Sequence, residues 1–142
     1  MSAEDLYHQA MVRLAREAHA AGSLTSPDAA VTLDNPLCGD RITVEVQVRD
    51  GVVASVAHRV RGCVLCEAAA SLIGRTARGA TLADAEEGRA AVAAMLRSSA
   101  PAPRGTWAGL SVFAPVAAAP SRHRCVLLPF EALCEALART LR

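Results

Sequence analysis

The sequence predicts an α+β fold, in which one small antiparallel sheet of about three strands packs against helices in a single domain, residues 1–142. The prediction depends on two observations: strand-like segments occupy the first half of the chain, and helix-like segments fill the second half. A length of 142 residues suits one domain. Because 52% of the residues are hydrophobic but only 3% are aromatic, we expect a core of small side chains.

The first half of the chain predicts one helix and three strands. Residues 4–20 have apolar side chains at four-residue steps, which is typical of an amphipathic helix. The segment RITVEVQV alternates apolar and polar side chains and predicts a half-buried strand. The Asp-Gly pair at 50–51 indicates a hairpin turn, after which residues 52–61 return as the second strand. Residues 31–33 are predicted as a third, shorter strand.

The second half of the chain predicts helices. The segment CVLCEAAASLIGR indicates a helix that begins at Cys63, and a capping box at 81–84 opens a further helix. Residues 98–121 are rich in Ser, Ala, Pro and Gly and are predicted as a long inserted connection with a short helix in it. A last helix follows Cys125, and Pro129 is compatible only with the first turn of that helix.

Three of the five cysteines occupy positions that suit a metal ligand. Cys38 lies in the turn-like segment NPLCGD, whereas Cys63 and Cys125 lie where helices begin. A helix N-terminus favours a thiolate, and the arginines in RVRGC and RHRC are expected to lower the pKa of both thiols further. With the carboxylate of Asp40, these thiolates form a ligand set that suits zinc or the iron of a cluster. The odd number of cysteines favours metal or sulfur chemistry over disulfides.

Composition argues against two classes of partner. The formal net charge of +1 argues against a general nucleic-acid binder. No segment approaches the roughly 18 apolar residues of a membrane span, so no membrane partner is expected. The start MSAEDLYHQA is acidic and amphipathic rather than basic and then apolar, which predicts a cytoplasmic protein.

The segments NPLCGD, RGCVLCEAAAS and RHRCVLLPFEAL resemble the three cysteine motifs of the IscU/SufU (NifU N-terminal-like) family of iron–sulfur cluster assembly proteins. The long interval between Cys63 and Cys125 is similar to that of the SufU branch. The IscU branch has a histidine directly before the third cysteine, where this chain has Arg124. The chain is therefore identified as a member of the SufU branch.

The resemblance implies that Cys38, Asp40, Cys63 and Cys125 bind zinc. It also implies that Cys38 and Asp40 are the catalytic positions, at which the chain accepts persulfide sulfur from a SufS-like cysteine desulfurase as a zinc-dependent sulfurtransferase. As the alternative, the same cysteines scaffold a [2Fe–2S] cluster or iron, which passes to SufBCD-like assembly machinery or to apo iron–sulfur proteins. A zinc-stabilised adaptor without sulfur chemistry is the second alternative.

The other candidate side chains are assigned to packing or left open. Three are expected in the core: Cys66, Cys134 and His58. His123 is expected to flank the metal site, with metal ligation as the alternative. Trp107 is expected to form a small local core beneath the inserted connection, with a partner contact as the alternative. For Arg122 and Arg124 two interpretations stay open, namely solvated side chains or groups that tune the thiolates or attract a partner.

Overall fold

The computed structural model describes residues 2–141 and has the predicted α+β architecture, a single domain with one three-stranded antiparallel sheet and helices packed against it. The elements of this part of the chain are helix α1 (Ala3–Glu17), strands β1 (Ala29–Asn35), β2 (Asp40–Arg49) and β3 (Val52–Arg61), helices α2 (Val64–Thr76) and α3 (Leu82–Ser98), the 3₁₀ segments Gly105–Ala118 and Pro120–Arg122, and helix α4 (His123–Arg139). None of the helices in the described residues is long and apolar enough to cross a membrane.

The sheet has the strand order β1-β2-β3, and both of its connections are hairpins. The predicted Asp-Gly turn is confirmed, because Asp50 and Gly51 both have left-handed φ values, 53° and 78°. The predicted apolar face of β2 is buried at Ile42, Val44 and Val46, which are at most 1% exposed, but Val48 is only half-buried and Glu45, between Val44 and Val46, is 8% exposed. Strand β1 is longer than predicted, because its backbone pairing with β2 continues through polar residues as far as Asn35.

Helix α1 ends at Glu17 rather than at residue 20, because the chain after it pairs with β3. The backbone N–H of His58 donates to the carbonyl oxygen of Ala20 at 3.1 Å, and the N–H of Gly22 donates to the carbonyl oxygen of His58 at 2.9 Å. These two bonds attach the tail of α1 to β3, an edge strand of the sheet. The predicted capping box of α3 is confirmed, with Thr81 and Asp84 bonding each other's backbone.

The prediction that Pro129 lies in the first turn of the last helix is wrong. Helix α4 already begins at His123, because the 3₁₀ turn Pro120–Arg122 leads directly into it. Pro129 therefore lies inside the helix and has no N–H to donate to the carbonyl oxygen of Cys125, four residues earlier. The side chains of α4 between Cys125 and Phe130 are buried nonetheless, so the helix is held by packing rather than by an unbroken bond ladder.

The inserted connection is an ordered part of the core rather than a cover over a separate one. The indole of Trp107 is 4% exposed and donates from Nε1 to the carbonyl oxygen of Asp84 at 2.9 Å. Its ring meets that of Phe130 edge to face, with the centroids 5.7 Å apart. The prediction of a small local core beneath the connection is therefore wrong, because Trp107 belongs to the same hydrophobic cluster as the sheet and α4.

Candidate metal centre

Cys38 lies in the four-residue turn that joins β1 to β2, and its side chain is exposed. The carbonyl oxygen of Asn35 accepts from the N–H groups of Cys38 at 3.2 Å and Gly39 at 2.8 Å, and the side-chain Oδ1 of Asn35 accepts from the N–H of Leu37 at 3.3 Å. Gly39 has a φ of 73°, which a glycine adopts without strain. The turn is thus closed by Asn35 and presents the Cys38 thiol outside any helix or strand.

Asp40 is the first residue of β2 and is 1% exposed. Its Oδ1 accepts from the backbone N–H of Cys63 at 2.9 Å, and its Oδ2 lies 4.0 Å from Cys63 Sγ. Cys63 is the N-cap of α2 but makes no capping hydrogen bond with its own side chain. The carboxylate therefore satisfies an N–H group at the start of α2, where a negative charge is favoured.

Gly62 makes this contact possible, although the sequence did not single it out. A Cβ atom at residue 62 would overlap with Oδ1 of Asp40 and lie 2.9 Å from Asp40 Cγ. The φ of Gly62 is not in the left-handed region, so the glycine is needed for space rather than for a turn. The only signal in the sequence is a glycine directly before Cys63, and the tertiary contact that explains it is not visible there.

Cys125 is the third residue of α4 and is 1% exposed. Its Sγ lies 3.8 Å from Cys38 Sγ. The ligand atoms of Cys38, Asp40 and Cys125 all lie within 4.8 Å of one another. The ligand atom of Cys63 is not part of this trio, but its Sγ lies 4.0 Å from Oδ2 of Asp40, so the fold brings three of the predicted ligands together and places the fourth beside Asp40.

The two arginines that the sequence left open differ in their contacts. The guanidinium of Arg122 interacts with the thiols of Cys63 and Cys125. Both interactions raise the pKa of Arg122, and the one with Cys63 has the larger effect. Arg124 forms a salt bridge with Glu131 instead, with the second carboxylate oxygen at 2.9 Å. Arg122 is thus the cation next to the thiols.

The predicted lowering of the thiol pKa is wrong for Cys125. Burial raises the pKa of Cys125 well above its usual range, and the neighbouring Asp40 and the thiols of Cys63 and Cys38 raise it further. A second negative charge in this buried group is unfavourable, and the helix start and Arg122 do not outweigh that effect. A metal cation among these atoms would reverse the balance, because it deprotonates a coordinating thiol.

The chemistry of the donor atoms fits such a cation. Asp40 is a buried carboxylate, and none of the ion pairs found between residues 2 and 141 involves it. The carboxylate thus lacks a cationic partner among these residues, and a metal cation between Asp40 and the thiols would supply one. Three sulfur atoms and one oxygen atom are donors that zinc accepts in a tetrahedral site.

The remaining candidates lie outside this group of ligand atoms. His123 Nε2 lies 3.1 Å from the carbonyl oxygen of Val116 and so joins the start of α4 to the inserted connection. Cys66 is fully buried, and burial raises its pKa to about 12, with Asp40 adding to the shift. Cys134 is part of the hydrophobic core. His58 is buried as predicted; its Nε2 lies 2.7 Å from the carbonyl oxygen of His19, while its Nδ1 has no partner among the described residues.

The fold and the cysteine–aspartate group define a small α+β domain with a candidate metal site of thiol and carboxylate ligands. The family described as NifU-like N terminal domain matches residues 6–118, and the chain belongs to this family. The match includes Cys38, Asp40 and Cys63 and ends before Cys125. It confirms the family predicted from the cysteine motifs, whereas the assignment to the SufU branch stays a prediction.

Individual relatives agree with this membership. Two Archaeoglobus fulgidus proteins named iron-sulfur cluster assembly scaffold protein IscU 1 and IscU 2 are each 32% identical over 64 residues, which is 45% of this chain and 42% of theirs. The chain thus matches less than half the length of these curated relatives. The crystal structure of a nitrogen-fixing NifU-like protein (N-terminal) from Brucella abortus is similar with a TM-score of 0.92 and 35% identity, covering 97% of this chain and 96% of that one. FiSufU from Fervidobacterium islandicum AW-1, at 20% identity, shares the fold with a TM-score of 0.84, covering 96% of this chain and 99% of that one.

Proposed function

We propose that the chain acts in iron–sulfur cluster assembly as a zinc-dependent sulfur acceptor, which takes persulfide sulfur from a SufS-like cysteine desulfurase onto Cys38. The observation that carries the proposal is the contrast within the candidate site. Cys38 is exposed on a turn, while Asp40 and Cys125, whose ligand atoms lie within 4.8 Å of its thiol, are buried. One thiol is thus accessible to another protein, and the rest of the site is fixed.

The zinc ligands in this proposal are Cys38, Asp40, Cys63 and Cys125, and bound zinc would keep the thiols ionised at neutral pH. Cys63 and Cys125 are held at the starts of two helices. Cys38 is held only by the hydrogen bonds of its turn, so its thiolate can leave the site without unwinding a helix. While Cys38 is away from the site, Asp40 stays hydrogen-bonded to the backbone N–H of Cys63, so these two ligands keep their relative positions.

The transfer is a thiol–disulfide type of exchange that needs no external oxidant. The Cys38 thiolate attacks the outer sulfur atom of the persulfide on the desulfurase cysteine. A new S–S bond forms on Cys38, the S–S bond of the donor breaks, and the cysteine of the donor leaves as a thiolate with the electron pair. The guanidinium of Arg122 lies beside the thiols of Cys63 and Cys125, where it offsets negative charge during the exchange.

A second candidate function is favoured by the names of the curated relatives. The Archaeoglobus fulgidus proteins are named iron-sulfur cluster assembly scaffold proteins. In a scaffold, the same cysteines would hold a [2Fe–2S] cluster as cargo and pass it to apo-proteins or to SufBCD-like machinery. Iron accepts thiolate ligands as zinc does, so the donor atoms suit both functions.

The test uses the protein with a SufS-like desulfurase and cysteine, in the absence of iron and reductant. We expect mass spectrometry to find one added sulfur atom on the peptide that carries Cys38, and desulfurase turnover to rise. Cys38→Ala should leave turnover at its baseline, whereas the matched control Cys134→Ala, in the core, should behave like the wild type.

Other outcomes point to the alternatives. An added sulfur atom only on Cys125, or stimulation that Cys38→Ala does not reduce, would refute the transfer mechanism. A coloured cluster formed under anaerobic reconstitution and delivered to an apo-protein would then favour the scaffold. Bound zinc with neither sulfur uptake nor a cluster would favour the second alternative, a zinc-stabilised adaptor without sulfur chemistry.

A further inference from the structure

Leu37, the residue directly before Cys38, is 91% exposed. Among the described residues, the other exposed large hydrophobic side chains are Tyr7 at 37% and Leu141 at 67%. Tyr7 is partly covered on α1, and Leu141 lies beyond the end of α4. Among the described side chains, Leu37 is therefore the most accessible large apolar one, and it lies beside the exposed thiol of the candidate site.

The turn does not need a leucine at this position. Its closure depends on Asn35, whose oxygen atoms accept from three backbone N–H groups of the turn, and on the left-handed Gly39. Leu37 takes part only through its backbone N–H, and its side chain contributes almost no burial to the fold. An apolar side chain held in water on a closed turn is available to fill a pocket of another protein.

Two arginines lie at the end of the sheet from which the β1–β2 turn projects. Arg41 follows Asp40 on β2, Arg61 precedes Gly62 on β3, and the two arginines are direct partners in the antiparallel pairing. The Nε of Arg41 donates to Oδ1 of Asp34 at 2.7 Å, whereas the side chain of Arg61 is exposed and makes no hydrogen bond or ion pair with residues 2–141. The edge of the sheet next to the site thus presents an unpaired guanidinium, a group that pairs well with carboxylates.

We propose that Leu37 and Arg61 form the docking surface for the protein that donates the persulfide. Leu37 enters an apolar pocket beside the reactive cysteine of that protein, and Arg61 pairs with a carboxylate at the rim of the pocket. The inference rests on the proposed function, because any protein whose persulfide reaches the Cys38 thiol must also cover the neighbouring Leu37.

Two other occupants fit the surface less well. A second copy of the chain in a two-fold contact would bring like charges together, since each copy would present the same arginines. A membrane would need a larger apolar face than one leucine offers. An acidic, pocket-bearing protein complements both the apolar and the cationic part.

The experiment measures desulfurase turnover against the concentration of the zinc-loaded chain. For Leu37→Ser we expect the half-saturating concentration to rise about 10- to 100-fold, which corresponds to the loss of one buried leucine. Turnover at saturation, zinc content and melting temperature should stay at wild-type values. The matched control is Leu141→Ser, another exposed leucine, which should leave the half-saturating concentration unchanged.

Charge is tested separately with Arg61→Glu. The half-saturating concentration should rise again, and added salt should no longer raise it as in the wild type but leave it unchanged or lower it, because an attractive charge pair becomes a repulsive one that salt screens. A small-molecule persulfide should load Cys38 of both variants at the wild-type rate, since no docking is needed.

The outcomes separate this proposal from the proposed function. If the wild type gains no sulfur from either donor, both are wrong. If the wild type is loaded by the desulfurase and Leu37→Ser shows an unchanged half-saturating concentration, the docking surface is wrong and sulfur transfer stands. Concentration-dependent self-association that Leu37→Ser abolishes would instead assign the surface to a second copy of the chain.

Discussion

Gly62 sets how closely the Asp40 carboxylate can approach the start of α2. We expect Gly62→Ala to reduce bound zinc well below one per chain, because the added methyl group overlaps with Asp40 and displaces it. Gly88→Ala is the matched control: its Cβ would lie 2.6 Å from Trp107 Cε2, so it also overpacks a buried site, but away from the thiols. Both should lower the free energy of unfolding by about 1–3 kcal/mol. Elemental analysis of the purified variants measures zinc, and full zinc in Gly62→Ala would contradict the role given to Asp40.

Cys66 lies close enough to the site to feel Asp40, yet its thiol is buried and its pKa is raised to about 12. We expect Cys66→Ser to keep its zinc and its sulfur uptake, at a cost of about 1–2 kcal/mol for a buried hydroxyl group. In the wild type, a thiol reagent at neutral pH should leave Cys66 unmodified, because the thiolate is the reactive form. Cys134→Ser serves as the control in the core. Zinc loss confined to Cys66→Ser would identify Cys66 as a fourth sulfur ligand in place of Asp40.

At the scale of the helices and strands, features that depend on neighbouring residues could be predicted from the sequence, whereas contacts between residues far apart in the chain could not. The hairpin at 50–51 and the capping box of α3 were predicted correctly because each depends on residues a few positions apart. The site residues came from spacing and resemblance, while Gly62, between β3 and α2, was missed because its contact Asp40 lies on β2, far from it in the sequence. Likewise, the packing of the inserted connection depends on the contact of Trp107 with α4, which the composition of residues 98–121 does not reveal.

The attachment of the α1 tail to β3 predicts a dependence of stability on pH. Burial lowers the pKa of His58 from 6.5, and the hydrogen bond to the His19 backbone opposes this only in part. The folded state therefore binds the proton less readily than the unfolded state. The contribution of His58 to the free energy of unfolding is fully present above its pKa in the unfolded state, and it is lost as the pH falls from there through its lower pKa in the folded state. We expect the free energy of unfolding of the wild type to decrease as the pH is lowered through that region.

The measurement is urea unfolding at several pH values from about 8 down to about 5, where histidine titrates. His58→Gln should reduce the fall in stability at acidic pH, because its side chain does not ionise. His8→Gln, which replaces an exposed histidine of α1, is the control and should keep the wild-type pH dependence. Equal pH dependence in His58→Gln and the wild type would show that His58 does not contribute.

At the scale of the whole molecule, the candidate site joins elements that are far apart in the chain. Its ligands come from the β1–β2 turn, the first residue of β2, the start of α2 and the start of α4. Cys38 and Cys125, whose sulfur atoms lie 3.8 Å apart, are separated by most of the domain in sequence. A metal bound there would cross-link the sheet to two helices, and its binding energy would add to the free energy of folding.

Removal of zinc should therefore destabilise the entire domain. At a free zinc concentration a hundredfold above its Kd, binding stabilises the folded state by about 2.7 kcal/mol, which for a domain of this size corresponds to a shift in Tm of roughly 5–15 °C. Calorimetry with and without a chelator measures the shift.

The variants Cys63→Ala and Cys125→Ala should abolish this shift in Tm, because each removes a buried or half-buried ligand at a helix start. Elemental analysis should also find that both variants have lost their zinc. Cys134→Ser, which alters a thiol of the same helix α4 outside the site, should keep both zinc and the shift. If both alanine variants kept a full equivalent of zinc, the metal would be bound elsewhere and the proposed ligand set would have to be abandoned.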